Sequence, residues 1–326
     1  ELSRIIQPGD RGWFGVDLHH HADVLDGATG PEEVVRSQLA AGLDFTFISD
    51  HDSTANNSLA ADISARREVM FLPAMEVSRS WGHFNIYPLL SDPRKEAEPV
   101  SGEARDIFKI SREMGAAVIT ANHPYSTYGY FRNLEQERVP GGFAPGFDLL
   151  EINYQHPAQP VVEKIWELWN QGRDCYLSAG TDSHDVQTDV SGSVRMFVHL
   201  FGKPTVAKLV EALKSGHSYV SFGPLVFPEI MFGSRLQAPA GHPLEFGFEV
   251  LAVNGLARVD LIEKGQILAS RQIKSTEQRQ TVTFRPRPGE DTWYALVVRD
   301  NLDKKAYTNP IWVQMSALPE AGLTYN

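Results

Sequence analysis

The sequence predicts a parallel α/β fold, either a barrel or an open sheet, followed by a small all-β domain. The chain has 326 residues, which is long for one ordinary domain and comfortable for two. Over residues 1–228, short apolar runs alternate with amphipathic runs, as they do in repeated βα units. Beyond Pro228 the helical pattern is replaced by short alternating runs. We therefore expect one domain over 1–228 and a second over 229–326.

Eight short apolar runs in the first domain are predicted strands. They are rich in β-branched and aromatic residues and are mostly continuous in hydrophobicity, which is typical of buried parallel strands. The runs are Phe14–Leu18, Phe45–Ser49, Phe71–Met75, Phe84–Leu89, Ala117–Ala121, Phe147–Ile152, Cys175–Ala179 and Arg195–Leu200.

Four amphipathic runs between these strands predict helices. In the first, Pro31 suits the opening turn, the two glutamates after it suit the helix dipole, and Gly42 ends the helix. The others extend from near Ser101 to Gly115, from near Pro160 to Gly172 and from Pro204 to Gly216. Trp166 and Trp169 of the third run are interpreted as core packing.

The second domain is predicted to be a β-sandwich of about 100 residues. Turns such as Val-Asn-Gly-Leu at 253–256 separate its strands. The predicted strands are Leu244–Val250, Ala257–Glu263, Arg279–Phe284, Trp293–Arg299 and Ile311–Val313.

Composition limits the class of protein and its partners. Hydrophobic residues make up 42% of the chain and charged residues 22%, as in a soluble globular protein, and no apolar run approaches membrane-spanning length. The sequence starts at Glu1 with no pattern of a signal peptide, so we assign no compartment. Cys175 is the one cysteine, which excludes an intrachain disulfide and a thiolate zinc site.

The formal net charge of −11 argues against broad binding to a nucleic-acid backbone. An acidic substrate remains possible, because bound divalent cations would reverse the local charge. We expect a small-molecule substrate, no nucleic acid and no membrane, and the sequence predicts no particular oligomeric state.

Ligand-type side chains follow successive predicted strands. His19 and His21 are alternate residues, so in extended chain they point to the same side, and His20 points away. In a βα barrel, strand ends share one rim, and imidazole with carboxylate ligands suits zinc, manganese or iron. The residues at this rim are His19, His21, Asp50, His51, Glu76, His83, His123, Glu151, Asn153, Asp182 and His184. A surface cluster is the alternative for the histidine run, and the recurrence of ligand types argues against it.

Five motifs occur in order along the chain. They are Asp-Leu-His-His-His-Ala-Asp-Val-Leu-Asp-Gly at 17–27, Ile-Ser-Asp-His-Asp at 48–52, Glu76 with Gly82-His83, Asn-His-Pro at 122–124 and Gly-Thr-Asp-Ser-His at 180–184. This set resembles the polymerase and histidinol phosphatase (PHP) superfamily over about residues 13–224. Ala22 and Leu25 stand where that family has serines. The stretches 212–224 and 308–313 further resemble the carbaryl hydrolase branch.

The resemblance implies a distorted (β/α)7 barrel that holds two or three divalent metal ions, Zn, Mn or Fe. It implies three ligand sets: His19, His21, Glu76 and Asp182; Glu76, His83 and His123; and Asp26, His51 and His184. A hydroxide bridging two ions would be the nucleophile. His19, Glu76, Asp182 and Arg195 are the predicted catalytic residues. Arg195 would bind phosphate bidentately, with a surface ion pair as its alternative.

Other polar residues have weaker assignments. Asp50 and Asp52 either orient histidines or cap the following helix. Glu151 and Asn153 are not expected to bind metal, and His217 and Tyr125 are interpreted as structural. His156, His199 and His242 have no ligand-type neighbours in the sequence.

The predicted function is that of a metal-dependent phosphoesterase acting on a small molecule. The alternative is a carbamate, amide or ester hydrolase, because the same nucleophile attacks carbon. A nuclease is disfavoured by the acidic charge. A binding module would lack ligands that this chain has. The amidohydrolases, which also open with His-x-His, bridge metals with a modified lysine, where this chain has Glu76.

Overall fold

The structure is a computed structural model that describes residues 6–89, 102–274 and 276–316. The chain divides into two compact units. The first comprises the part up to Val161 together with Ser178–Lys214, and the second comprises Val162–Leu177 and the part from Ser215 onward. The predicted boundary at 228/229 stays a prediction beside this division.

The part of the chain up to Lys214 alternates between strands and helices as predicted. The strands are β1 (Trp13–Val16), β2 (Phe45–Ile48), β3 (Met70–Pro73), β4 (Met75–Arg79), β5 (Gly82–Tyr87), β6 (Val118–Ala121), β7 (Leu149–Asn153), β8 (Tyr176–Gly180) and β9 (Arg195–His199). The helices are α1 (Pro31–Ala40), α2 (Asn57–Arg66), α3 (Ala104–Glu113), α4 (Tyr130–Glu135), α5 (Ala158–Asn170) and α6 (Val206–Lys214).

Four of these helices lie where amphipathic runs predicted them. The expected start of α3 near Ser101 lies outside the described residues. The sequence analysis did not predict α2 or α4, in both of which residues of modest helix propensity such as Asn, Ser and Tyr interrupt the good helix formers. Burial of Ala60 and Ile63 of α2 against Val34 and Val35 of α1 offsets that deficit.

Strand pairing in the first unit departs from the parallel prediction. β2 pairs with β3, and β6 with β7, in parallel, but β1 pairs antiparallel with β9, and β5 pairs antiparallel with both β4 and β6. The uniformly parallel architecture was therefore wrong for β1, β4, β5 and β9. Continuous hydrophobicity reports burial on both faces, and antiparallel strands in an interior share it. Two residues separate Arg79 of β4 from Gly82 of β5, and so short a loop can join only antiparallel strands.

The described strands do not close into one continuous barrel sheet, so the predicted (β/α)7 barrel is not confirmed. Single backbone hydrogen bonds nevertheless join several strand ends. The Leu18 amide donates to Ala179 at 3.0 Å, and the Ser49 amide donates to His20 at 2.8 Å. The Glu76 amide donates to Asp50 at 3.1 Å. These bonds draw the ends of β1, β2 and β8 and the start of β4 together around one point.

The second unit is rich in strands, and its described residues beyond Pro228 contain no helix, as the sequence predicted. The strands are β10 (Ser218–Ser221), β11 (Leu225–Pro228), β12 (Arg235–Ala238), β13 (Phe246–Leu251), β14 (Leu256–Glu263), β15 (Gln266–Gln272), β16 (Arg279–Phe284), β17 (Thr292–Asp300), β18 (Lys305–Thr308) and β19 (Ile311–Met315). One sheet has the order β10-β18-β17-β14-β15, with β19 paired to β17 and β12, and another has the order β11-β13-β16.

Aromatic side chains form the interior of the second unit. Phe246 of β13 packs against Tyr294 of β17 with ring centroids 5.2 Å apart. Trp169 is buried and meets Trp293 edge to face at 5.0 Å, so its interpretation as core packing is confirmed. Within the described residues, no helix has the length and apolarity needed to cross a membrane.

Candidate metal centre

The histidine run after β1 places two imidazoles on one side of the chain. His19 Nε2 lies 3.1 Å from His21 Nε2, and both rings are fully buried. His20 turns the other way, where its Nε2 lies 3.0 Å from Ser191 Oγ. The alternation expected of extended chain is therefore present.

Glu76 of β4 lies at the centre of five histidines. Its carboxylate is fully buried and contacts His51 Nδ1 at 2.7 Å, His19 Nε2 at 3.2 Å and His83 Nδ1 at 3.3 Å. His123 Nε2 lies 3.5 Å away and His21 Nε2 3.7 Å away. A carboxylate buried among imidazole nitrogens provides the oxygen of a mixed nitrogen and oxygen ligand set.

Asp182, which follows β8, contacts three of the same imidazoles. Its Oδ1 lies 3.1 Å from His19 Nε2 and 3.2 Å from His21 Nε2, and its Oδ2 lies 3.9 Å from His123 Nε2. The backbone of Asp182 has a φ of 58°, in the left-handed region, and its amide donates to the His19 carbonyl at 2.9 Å. This turn aims the carboxylate at the cluster.

Asp26 forms the outer edge of the cluster. Its carboxylate is 57% exposed and lies 3.3 Å from His51 Nε2 and 3.5 Å from His184 Nε2. Gly27 permits the tight turn behind it, because a Cβ there would lie 1.4 Å from the Ala22 carbonyl oxygen.

All nine side chains predicted as metal ligands meet in this one cluster. Four groups have ligand atoms within 4.8 Å of one another: His21, Asp26, His51 and His184; His19, His21 and Glu76; His19, His123 and Asp182; and His51, Glu76 and His83. The members of the predicted third set, Asp26, His51 and His184, therefore lie in one group, which also contains His21. His83 and His123, predicted in one set with Glu76, fall in different groups.

The spacing and chemistry of these atoms fit divalent cations. Ligand atoms held about 2.0–2.2 Å from a tetrahedral zinc ion lie about 3.3–3.6 Å from one another. The His19, His21, Glu76 and Asp182 atoms facing each other are 3.1–3.7 Å apart. Carboxylates buried this closely beside imidazoles are stable only when opposite charge, from a bound cation or from a protonated ring, compensates them.

The protonation states of the cluster residues differ from one residue to the next. Burial lowers the pKa of His21 to about 4, so that ring is neutral at pH 7. Burial also disfavours the charged form of His19, but Asp182, Glu151 and Glu76 outweigh it and raise the pKa of that ring well above its usual value. Burial opposes ionisation of Glu76 and Asp182, yet the surrounding histidines hold the pKa of both carboxyls well below the usual range. Both carboxylates are therefore ionised at neutral pH.

Several residues support the cluster in roles that the sequence analysis did not assign to them. Glu151 of β7 lies 2.8 Å from His19 Nδ1, Asn122 donates to Glu76 Oε1 at 2.7 Å, and Ser126 Oγ lies 2.8 Å from His123 Nδ1. Ser78 Oγ lies 2.6 Å from His51 Nδ1. Ser78 carried a usable signal, because it follows Glu76 by two residues in a strand and shares its face.

The hydrogen bonds of the Arg195 guanidinium go to backbone carbonyls outside the cluster. Its guanidinium donates to the Gly192 carbonyl at 2.9 Å and 3.0 Å and to the Ala41 carbonyl at 3.1 Å. These bonds anchor loops, and the role of Arg195 in phosphate binding stays a prediction that no contact in the described structure supports.

The structure shows the contacts of the other polar residues that the sequence singled out. Asp50 accepts bonds from the Ala22 amide at 2.6 Å and Asn56 at 2.8 Å, so it anchors the loop after β1. Asp52 pairs with Arg79 at 3.2 Å. The His156 ring lies 6.4 Å from that of His123, and His156 belongs to none of the four candidate groups of the described residues.

No family model matches the chain. A solved two-domain protein from Bacteroides vulgatus, containing a predicted PHP-like metal-dependent phosphoesterase, is similar over 97% of this chain and 95% of its own, with a TM-score of 0.54 and 14% identity. The chain has a PHP-like fold. An amidohydrolase from Chromobacterium violaceum with bound sulfate and no metal has a TM-score of 0.42 at 19% identity over 60% of this chain and 96% of its own.

A curated relative adds a sequence likeness to the PHP-like fold. It is a 3',5'-nucleoside bisphosphate phosphatase of Chromobacterium violaceum, 39% identical over 112 residues, which are 32% of this chain and 39% of the relative. The chain thus spans about two fifths of the length of that relative. The solved structure shows the fold, and the sequence likeness to the curated relative extends over about a third of this chain.

Proposed function

We propose that this protein is a metal-dependent phosphoesterase that hydrolyses a phosphate ester of a small molecule. The observation that carries the proposal is the convergence of six histidines and Asp26 around Glu76 and Asp182, which are both ionised and largely buried. The phosphatase name of the curated relative and the PHP-like fold support the same chemistry.

The nine residues are proposed to hold two or three divalent ions, of zinc, manganese or iron. Ions bound there would supply a water of lowered pKa and positive charge for the phosphoryl oxygens. The chain's own contribution is to hold the ligand atoms in place before substrate arrives. Glu76 and Asp182 fix the inner histidines, while Asp26, His51 and His184 leave the outer side accessible to an ester.

A nucleoside phosphate is the substrate class that we propose, since the curated relative is named for a nucleoside bisphosphate. Membership of the carbaryl hydrolase branch stays a hypothesis. It depends on the stretches 212–224 and 308–313, which cover the end of α6 with β10 and the start of β19.

The finer fold is also a proposal. We propose that the first unit is a distorted seven-stranded barrel, in which single bonds such as Leu18 to Ala179 replace full ladders. The two sheets of the second unit are proposed to form a sandwich, and the packing of Phe246 on Tyr294 supports this.

A paired assay tests the function. Metal-loaded protein is incubated with p-nitrophenyl phosphate and with p-nitrophenyl methylcarbamate, beside an Asp182→Ala variant whose metal content is measured. Phosphate turnover that the variant loses is the expected result. Turnover of the carbamate alone would move the assignment to hydrolysis at carbon, and turnover of neither by protein that binds metal would contradict the proposal for aryl phosphates.

A further inference from the structure

Glu151 is a fully buried carboxylate whose two oxygens are both used by cluster residues. It lies in the middle of β7, a strand that is buried throughout. Oε2 lies 2.8 Å from His19 Nδ1, while Oε1 accepts the His123 amide at 3.1 Å and the Asn153 side chain at 2.9 Å. A buried carboxylate is costly unless such partners satisfy it, so its place in this interior needs a reason.

The bond to His19 fixes which nitrogen of that ring faces the cluster. In the neutral ring, which is the form that binds a metal ion, donation of the Nδ1 hydrogen to Glu151 leaves the lone pair on Nε2. Nε2 is the atom that lies 3.2 Å from Glu76 and 3.1 Å from Asp182. An outer carboxylate that orients a ligating histidine in this way also makes the imidazole a stronger ligand.

The same carboxylate fixes a second cluster residue through its backbone. His123 has a φ of 24°, which an L residue rarely adopts, and its amide donates to Glu151. The ring of His123 belongs with His19 and Asp182 in one candidate group. Glu151 therefore contacts two of the three members of that group without belonging to it.

Gly180 of β8 makes this arrangement possible. A Cβ at that position would lie 2.4 Å from His19 Cβ and 2.6 Å from Glu151 Oε2. Any larger residue would push apart the side chains that the hydrogen bond joins. The absence of a side chain at Gly180 therefore leaves the space in which Glu151 contacts His19.

We infer that Glu151 is a positioning residue, which holds His19 in the Nδ1–H form and fixes His123, so that the group of His19, His123 and Asp182 is arranged for a cation. The inference rests on the metal site of the proposed function. It assigns Glu151 no contact with substrate and no place among the ligands.

The first test uses the unaltered protein loaded with Zn²⁺. Nitrogen-15 NMR of the histidine rings reports which His19 nitrogen carries hydrogen. The expected result is a protonated Nδ1 and a metal-bound Nε2. Metal bound through Nδ1 of His19 would overturn the inference without any variant having to fold.

The second test compares Glu151→Gln with Glu151→Asp and with Asp148→Asn. Asp148 lies just before β7, accepts the Ile119 amide of β6 and pairs with Arg112 of α3, so its variant removes a partly buried carboxylate that joins β6 to α3 and does not support the cluster. Zinc affinity is measured by chelator competition, and folding is measured by thermal unfolding without metal.

Glu151→Gln should weaken zinc binding about 10- to 100-fold. Glu151→Asp should restore part of that loss, and Asp148→Asn should leave zinc affinity within about twofold of the wild type while lowering thermal stability. Unchanged zinc affinity in a folded Glu151→Gln protein would overturn the inference alone. Failure of the wild type to bind zinc or to hydrolyse phosphate esters would instead overturn the proposed function.

Discussion

His19 Nε2 and His21 Nε2 lie 3.1 Å apart, yet the pKa values of the two rings are shifted in opposite directions. Burial leaves His21 with a pKa of about 4, whereas Asp182, Glu151 and Glu76 overcome burial and raise the pKa of His19. Without metal, a protonated His19 at neutral pH can donate to its neutral neighbour. The proton then takes the place that a cation would have between the same atoms.

The first prediction concerns the stability of the metal-free protein, which should be greatest near pH 6.5. Because the pKa of His19 is raised above its unfolded value of 6.5, its contribution is complete below pH 6.5 and is lost as pH rises through the folded pKa. From pH 6.5 down to about 4, unfolded His21 takes up a proton that folded His21 does not, so stability falls in that direction also.

Calorimetry from pH 4 to 9 with and without zinc checks this. The loss above pH 6.5 should disappear in zinc-loaded protein and should be smaller in a metal-free His19→Asn variant. A melting temperature that is flat above pH 6.5 in the metal-free wild type would contradict it.

The second prediction is that the group at Asp26 binds its ion more weakly than the inner groups. The Asp26 carboxylate is 57% exposed, whereas that of Asp182 is 14% exposed, so water screens Asp26 far more. Asp26→Asn should remove about one equivalent of metal and leave the tighter class intact. Metal content is measured after dialysis against increasing chelator. Asp23→Asn, which removes an equal charge from the same loop, is the control, and equal losses in both variants would count against the prediction.

The third prediction is that Glu76→Gln affects more than one ion. Glu76 belongs to two of the candidate groups, and Asp26 belongs to one. Gln keeps the volume of the side chain but removes the charge that faces five imidazoles. Bound metal should therefore fall further than in Asp26→Asn, and phosphatase activity should fall more than about 100-fold, beyond the effect typical of outer partners. Elemental analysis and initial rates measure both, with exposed Glu68→Gln as the control. Full metal content in Glu76→Gln would be inconsistent with its central place.

The sequence predicted the places of most strands and all nine cluster residues, because these depend on local hydrophobicity and on short motifs. Strand partners depend on long-range packing and were not predictable in the same way. The run Phe71–Met75 predicts one strand, but Ala74 separates β3 from β4, and a hairpin joins β4 to β5. That hairpin brings Glu76 and His83 together.

The supporting contacts were beyond local patterns for a similar reason. Glu151 and His19 are 132 positions apart, and no spacing indicates that one orients the other. Arg195 was predicted to bind phosphate, with a surface ion pair as its alternative, because it follows the last motif. In the structure its guanidinium donates to the carbonyls of Ala41 and Gly192, and its role in phosphate binding stays a prediction.

The last prediction concerns the aromatic ring at the edge of the cluster. Tyr128 stacks on His83, with centroids 5.2 Å apart and planes 5° from parallel, and the residue is 51% exposed. The turn that carries it is held by bonds from the Ser126 amide to His123 and from the Gly129 amide to Ser126. A ring fixed beside the candidate ligands and open to solvent can stack on an aromatic group of a substrate, which is worth about 0.5–1.5 kcal/mol.

Tyr128→Leu should therefore raise KM about 2- to 10-fold for a nucleoside phosphate or an aryl phosphate, and leave KM for glycerol phosphate unchanged. Tyr128→Phe keeps the ring and should behave like the wild type, which separates stacking from any bond of the hydroxyl. Steady-state kinetics with the three substrates measures the effect, and inhibition of glycerol phosphate hydrolysis by the free nucleoside measures binding without turnover. An equal rise in KM for glycerol phosphate would mean that Tyr128 supports His83 and does not contact the substrate.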